Sequence, residues 1–342
     1  MTGLDEQLQW GWDKLATFCY KYHVSPPRHL PEFVAWLHQP IESWEGIGHL
    51  FASAHLSGPL LSYGTPSEIC ADLGRGLHLS SNPEREIQDT PFKEILDYCK
   101  VNHLAQQYRE ARHFLVTHPY LPYGGITISQ DTRWDAEVRK WLRRAYEPVP
   151  LVCYRSINGQ DHIALCPRCK WPLEWRTQRR SIAVCYNDLC GQLVKHIHDP
   201  QQWELVSPES MRTTRGIQES VVAPEVPLLE LYEKLAQDHG LSCELWPEVD
   251  SYDVAVSMSD GERWAIDMKD FRSPTELADR VRGFLLAPAW DRAFFVFPEH
   301  RRHPGYLRTF TALWKKPKGQ HIEALFVDDF LRRVQEHEKM EV

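Results

Sequence analysis

The sequence predicts a multidomain chain: an α-helical N-terminal region, a small four-cysteine module, and a C-terminal α/β domain with a mixed sheet. Three observations carry this. At 342 residues the chain exceeds one ordinary core and has room for two or three domains. Apolar residues in its first part recur at three- and four-residue steps, as helices require. In the last third the segment order α-β-β-β-α-β-α-β implies a mixed sheet flanked by helices.

Residues 1–148 read as the helical domain. Leu8–Phe18, Pro31–Leu37 and Phe92–Tyr98 carry the helical spacing. Thr65-Pro66-Ser67-Glu68 and Thr90-Pro91 read as helix starts with proline in the first turn, the former with capping-box spacing. Trp134–Tyr146 is an amphipathic helix stopped by Pro148 and Pro150. Thirteen tryptophans, many of them in the first half, point to a bulky, well-filled helical core there.

Residues 149–206 hold two strand-like segments, Leu151–Arg155 and His162–Leu165, joined by an Asn158-Gly159 turn, and then the cysteine module. Residues 207–227, rich in Ser, Thr, Pro and Arg and weakly periodic, read as a linker. Residues 228–342 form the last domain. A helix at Leu228–His239 stops at Gly240, and strands follow at Cys243–Pro247, Asp253–Met258 and Trp264–Phe271. A helix from Ser273 to about Leu286 leads to a fully buried type of strand at Arg292–Pro298. A helix near Tyr306–Trp314, a strand at Ile322–Val327 and a charged terminal helix complete the order.

The net charge of −8 does not exclude nucleic acid, because binding depends on where charge lies. Between Cys166 and His198 six basic residues (Arg168, Lys170, Arg176, Arg179, Arg180, Lys195) face only Glu174 and Asp188. That is a basic module in an acidic chain, suited to a nucleic-acid or protein contact, with a solvated basic face as the plain alternative. No apolar run is long enough to span a bilayer and no signal peptide is evident, so no membrane partner is expected. Nine cysteines, four of them in two close pairs, indicate metal binding in a reducing compartment, the cytoplasm.

The two pairs are Cys166-x-x-Cys169 and Cys185-x4-Cys190, fifteen residues apart. Each pair can grip one Zn²⁺ from a tight turn, and together they close a tetrahedral thiolate shell. The segment between them has hairpin length, so the module resembles a zinc ribbon in which metal substitutes for a core too small to fold alone. Four thiolates leave no open position, so the zinc is structural. The second gap is four residues instead of the common two. His196 and His198 are alternative ligands.

In the last domain Asp253 opens one strand, Ser259-Asp260-Gly261 makes the turn, and Asp267-Met268-Lys269 lies on the next strand. Residues two apart on a strand share a face, so Asp267 and Lys269 point together. Two carboxylates and an ammonium there suit a divalent cation and a water, the groundwork of phosphodiester cleavage. The backbone carbonyl of Met268 is a further candidate ligand.

These residues resemble the PD-(D/E)xK superfamily, the restriction-endonuclease-like fold, over about residues 228–327. The resemblance implies that Asp253 and Asp267 bind Mg²⁺ or Mn²⁺ and that Lys269 orients or activates the attacking water. It also implies that a glutamate on the preceding helix helps to hold metal; Glu230 is that residue, with Glu233 its rival. The proline that precedes the first acid in the family is Tyr252 here. A helical region, a zinc ribbon and an endonuclease domain in series look like the endonuclease components of bacterial anti-phage systems. Among these are the ones accompanying prokaryotic PIWI proteins and a DinG-type helicase.

The expected function is a metal-dependent endonuclease, acting on DNA by family habit, in a complex or as a homodimer. The alternative is a non-catalytic nucleic-acid-binding or assembly subunit that keeps a nuclease-like fold. Gly74-x-Gly76 and Tyr123-Gly124-Gly125 lack the strand and helix that a phosphate-binding loop needs.

Overall fold

The computed structural model describes residues 6–53, 56–63, 65–70, 83–176, 182–194, 200 and 203–340. Arg179, Arg180, Lys195, His196, His198, Gly74 and Gly76 lie outside the described residues. The chain divides into two compact units, Met1–Leu79 and Ser80–Val342.

In the first unit, helices α1 (Glu6–Lys21) and α2 (Leu30–Leu37) occur where the apolar spacing places helices, and α3 (Gly48–Ser53) follows them. Cys19, Ile41, Trp44, Ile47 and Ile69 form the core. The indole N–H of Trp44 donates to the Trp36 carbonyl at 3.0 Å, so a bulky ring is buried with its polar atom satisfied. Thr65 and Pro66 do not start a helix; they pair with Ser62 and Leu61 in a short hairpin.

The second unit begins with α4 (Pro83–Val101), α5 (Ala105–Thr117) and α6 (Ala136–Arg144). Pro91 lies inside α4 instead of at its start. Asp135 caps α6 by accepting from the Val138 N–H at 2.9 Å, and its other oxygen accepts from the Tyr98 hydroxyl at 3.0 Å. Leu151–Cys153 is a 3₁₀ turn, not a strand. The hairpin Arg155–Ile157/Gln160–Ile163 turns at Asn158 and Gly159, both at positive φ (52° and 78°), as the Asn-Gly pair requires. The cysteine module contributes the hairpin β1 (Glu174–Arg176) and β2 (Ile182–Val184).

Residues 207–227 behave differently from a linker. Met211–Thr213 is the central strand of a three-stranded sheet, and a continuous helical run, α7, covers residues 215–238. It includes π-helical turns at Gln218–Val222 and Lys234–Asp238. Pro224 and Pro227 offer no N–H to the ladder, and a widened turn upstream accommodates that loss. Polar composition suggested a linker, yet Thr213 and Gln218 are fully buried.

The main sheet has the order β3 (Ser242–Leu245), β4 (Val254–Ser257), β5 (Arg263–Met268), β6 (Arg292–Phe297) and β7 (Ile322–Phe326). The first three strands are antiparallel, and β5, β6 and β7 run parallel, giving the expected mixed sheet. On one face Val254, Trp264, Ile266 and Phe294 share a core with Tyr108, Leu115, Leu228 and Phe330. The last of these is on α10 (Val327–Met340). On the other face Ala255, Ala265, Phe295 and Phe297 pack with Leu277 and Phe310, of helices α8 (Pro274–Arg280) and α9 (Tyr306–Leu313). The boundaries drawn at 148, 206 and 227 follow residue character; packing runs across them, since α4 to α6 cover the sheet.

Helix α8 ends earlier than its capping pattern suggests. The Phe284 N–H donates to Gln320 Oε1 at 3.1 Å, and Gln320 Nε2 donates back to the Phe284 carbonyl at 2.7 Å. A Cβ at Gly283 would stand 2.2 Å from the same Gln320 oxygen, so only glycine allows that approach. Among the described residues no helix is long and apolar enough to cross a membrane.

Candidate active site and metal centre

The end of the β4–β5 hairpin brings the sequence-selected acids together. Val254 pairs with Ile266, so one step further along the ladder Asp253 stands against Asp267. The ladder distorts there: the Asp253 N–H donates to the Ile266 carbonyl at 3.0 Å, while the Met268 N–H donates to Asp253 Oδ2 at 2.6 Å. Lys269 Nζ donates to Asp267 Oδ1 at 2.6 Å, and both side chains are about three-quarters buried. Burial, then the neighbouring Asp267 and Glu225, push the Asp253 carboxyl far above the usual carboxylate range. For Lys269 burial pulls down, but Asp267 and Asp253 outweigh it and hold the ammonium above its ordinary value. Two like charges directly opposed on one sheet face oppose folding. A divalent ion shared between the two carboxylates would relieve that opposition, and the donor set fits one.

A second group adjoins this one, and sequence reasoning missed it. Arg112, on α5, is only 8% exposed. One guanidinium nitrogen donates to Asp250 Oδ1 at 2.5 Å and to the Tyr108 hydroxyl at 2.8 Å, and the other donates to Glu225 on α7. The guanidinium also lies 4.6 Å from the centre of the Trp246 ring. Asp253 feels both Arg112 and Glu225. Asp250 arrives through a left-handed stretch of backbone, with Trp246 at φ 45°, Glu248 at 49°, Val249 at 58° and Asp250 at 74°. For non-glycine residues that conformation costs roughly 1–2 kcal/mol each. The strain places a carboxylate at the mouth of the cluster.

Glu230 is not brought to this cluster. It lines a groove of about 400 Å³ with Pro167, Lys234 and His300. Glu225 and Glu230 are five residues apart, roughly 140° around a helix, so both cannot face the same site. Glu233 is exposed. The helix acid that approaches Asp253 is Glu225. A single acid amid Val221, Val222, Leu228 and Leu231, all buried, was the signal available for it.

The cysteine centre closes as its spacing predicts. The sulfurs of Cys166, Cys169, Cys185 and Cys190 all lie within 4.8 Å of one another, and those of Cys169 and Cys185 are 3.5 Å apart. A tetrahedral Zn–S shell sets sulfurs about 3.8 Å apart, so the residues fit zinc. Hydrogen bonds from Cys169, Cys185 and Cys190 hold the Cys166 thiol well below its ordinary value. Gln218 Nε2 donates to Cys169 Sγ at 3.2 Å and Arg168 Nη1 to Cys190 Sγ at 3.7 Å, which orients the sulfurs. Glu174, buried on β1, meets Arg212 at 3.2 Å and Arg215 at 2.9 Å, tying the hairpin to the base of α7.

Arg168 does not belong to an exposed basic face. It is buried and reaches Asp270, which also accepts from His300 at 2.9 Å and from Arg301 at 2.6 Å. Burial pushes the Asp270 carboxyl up, but His300, Arg301 and Arg168 outweigh it and hold it down at about 2.

Asp260, Glu262 and His337 form another close set. His337 Nε2 lies 2.9 Å from Asp260, and Glu262 is engaged by Trp264 Nε1 at 2.8 Å and Arg292 at 3.0 Å. These bonds fasten α10 to the β4–β5 turn.

Comparison with known proteins bears on both ends of the chain. Residues 226–341 match the family described as REase associating with pPIWI_RE. Residues 4–122 match the family described as pPIWI_RE three-gene island domain Y. No curated protein and no solved structure gives a significant match. The chain is thus similar at its C-terminal end to the family described as REase associating with pPIWI_RE, and at its N-terminal end to the family described as pPIWI_RE three-gene island domain Y.

Proposed function

We propose that the protein is a metal-dependent endonuclease that hydrolyses phosphodiester bonds, in DNA, as part of a bacterial defence complex with a pPIWI_RE protein. The observation that carries this reading is Asp253 set against Asp267 with Lys269 on the same sheet face. The REase description of the matching family supports it. Asp253 and Asp267 would hold Mg²⁺ or Mn²⁺, with the Met268 carbonyl as a further ligand. That ion supplies charge neutralisation of the phosphate and a more acidic bound water. Lys269, protonated and anchored on Asp267, orients the attacking water and a phosphate oxygen. Glu225, in place of Glu230, is the helix carboxylate that shapes the field at Asp253. The cysteine centre holds structural Zn²⁺ and fixes the ribbon beside the sheet. The domain Y match favours assembly with protein partners, and the free thiols suit the reducing cytoplasm.

The test is cleavage of plasmid and single-stranded DNA with Mg²⁺ or Mn²⁺, with and without the partner proteins, for the native chain, Asp267→Ala and Lys269→Ala. Metal-dependent cutting lost in both variants is the expected result. Cutting that survives both would put the chemistry elsewhere. A well-folded native chain that binds DNA but never cuts, even with partners, would make it an assembly subunit.

A further inference from the structure

We propose that Arg112 occupies the place of a second cation, so that the acid cluster accepts a single divalent ion. This inference rests on the metal-site reading above. Four carboxylates converge, Glu225, Asp250, Asp253 and Asp267, against two fixed cations, Arg112 and Lys269. With all four acids ionised, as a bound cation would hold them, the excess is two negative charges, which one divalent ion cancels and two would overshoot.

Geometry divides the acids the same way. Arg112 bridges Glu225 and Asp250 with separate nitrogens, as a metal ion bridges two carboxylates. It is walled by Trp246 at 4.6 Å, Phe92 at 5.6 Å and Tyr108 at 5.9 Å. The second oxygen of Glu225 is sealed from solvent. Mg²⁺ keeps several of its waters when it binds, and a sealed oxygen beside a guanidinium has no room for them. Asp253 and Asp267 are partly exposed at the strand ends, the Asp267 side chain about a quarter open. Arg112 is therefore a positioning residue: it holds Glu225 and Asp250 as a preformed wall and leaves the opposed aspartates to the metal. It comes from α5, within the domain Y match and outside the REase match.

The experiment counts bound Mn²⁺ by electron paramagnetic resonance and calorimetry on zinc-loaded full-length protein, the relevant ion being the one abolished by Asp267→Asn. The native chain binds one such ion. Arg112→Gln binds a second, and its melting temperature, lowered without metal, recovers in Mn²⁺. Two ions on the native chain, or one ion with unchanged affinity in Arg112→Gln, overturns the proposal. Should Arg112→Gln fail to fold, the Glu225→Gln/Asp250→Asn double variant decides. It keeps one ion with affinity within about tenfold of native, and loss of the ion makes those acids ligands and sinks the idea. A native chain that binds no Mn²⁺ at all removes the metal site itself, and this inference with it.

Discussion

Arg168 connects the cysteine centre to the acid strand: one guanidinium nitrogen stands 3.7 Å from Cys190 Sγ and the other 3.9 Å from Asp270 Oδ2. Asp270 directly follows Lys269, whose backbone N–H is fixed on the Val296 carbonyl at 2.9 Å. The ribbon's state thus reaches the residue next to the lysine through one side chain.

Arg168→Met removes that link and leaves Asp270 with His300 and Arg301. Stability falls by about 1–3 kcal/mol in urea unfolding, the cost of breaking a buried charged hydrogen bond. Zinc affinity, read by chelator competition, falls about tenfold through loss of a donor to sulfur. On the reading that the four cysteines hold zinc, stripping it lowers the melting temperature and alters the Trp171 and Trp175 signals, since both rings pack on the cysteines.

Asp253→Asn trades function against stability. It relieves the opposition to Asp267, so metal-free unfolding free energy rises by about 1 kcal/mol. At the proposed metal site the same change also removes the stabilisation expected from added Mg²⁺. A variant that is destabilised without metal would show that the two carboxylates do not repel one another.

Glu248 and Val249 separate strain from burial. Both are left-handed, but Glu248 is exposed and Val249 lies in the core. Glu248→Gly relieves the backbone and raises stability by about 1 kcal/mol. Val249→Gly loses about 2 kcal/mol of apolar contact and ends less stable than native despite the same relief. Thermal unfolding of the pair in one buffer checks the contrast.

Burial pushes the Cys99 and Cys243 thiols up to about 11 and Cys153 up to about 12. Alkylation of these three at pH 8 runs at least about a hundredfold slower than in unfolded chain, because the thiolate is the nucleophile; mass spectrometry of labelled peptides reads this. The raised native values also set the sign of the alkaline response. Their contribution to stability is complete below about pH 8.5, where the unfolded thiols are still protonated, and is lost as pH climbs through 11 to 12.

The five strands and their order along the chain were legible because β4 and β5 are short apolar runs flanking the Asp260-Gly261 turn and the parallel strands are apolar runs of the same kind. The cysteine centre was legible because its ligands sit in local pairs. Arg112 was not: its acid partners lie 113 and 138 residues away, and nothing in the periodicity of α5 distinguishes a buried arginine from a solvated one. Glu230 was chosen as a glutamate on the helix before the acid strand, as the resemblance implies, whereas the face of α7 decides which acid reaches the strand. The segment 207–227 misled for a related reason. Gln218 and Thr213 look solvent-loving in isolation and are buried because Cys169 and the Trp171 indole give them partners.

The shared core of α4 to α7 and the sheet bears on how such a chain can be inherited. The REase match opens at residue 226, inside α7, and the domain Y match closes at residue 122, beyond α5. A C-terminal fragment cut at either border would keep α10 over Trp264 and Phe294 but lose α4 and α5, which supply Ile95, Tyr108 and Leu115 to the same core. A C-terminal part exchanged alone would leave Glu225 and Asp250 dependent on whatever residue the new α5 carries at position 112.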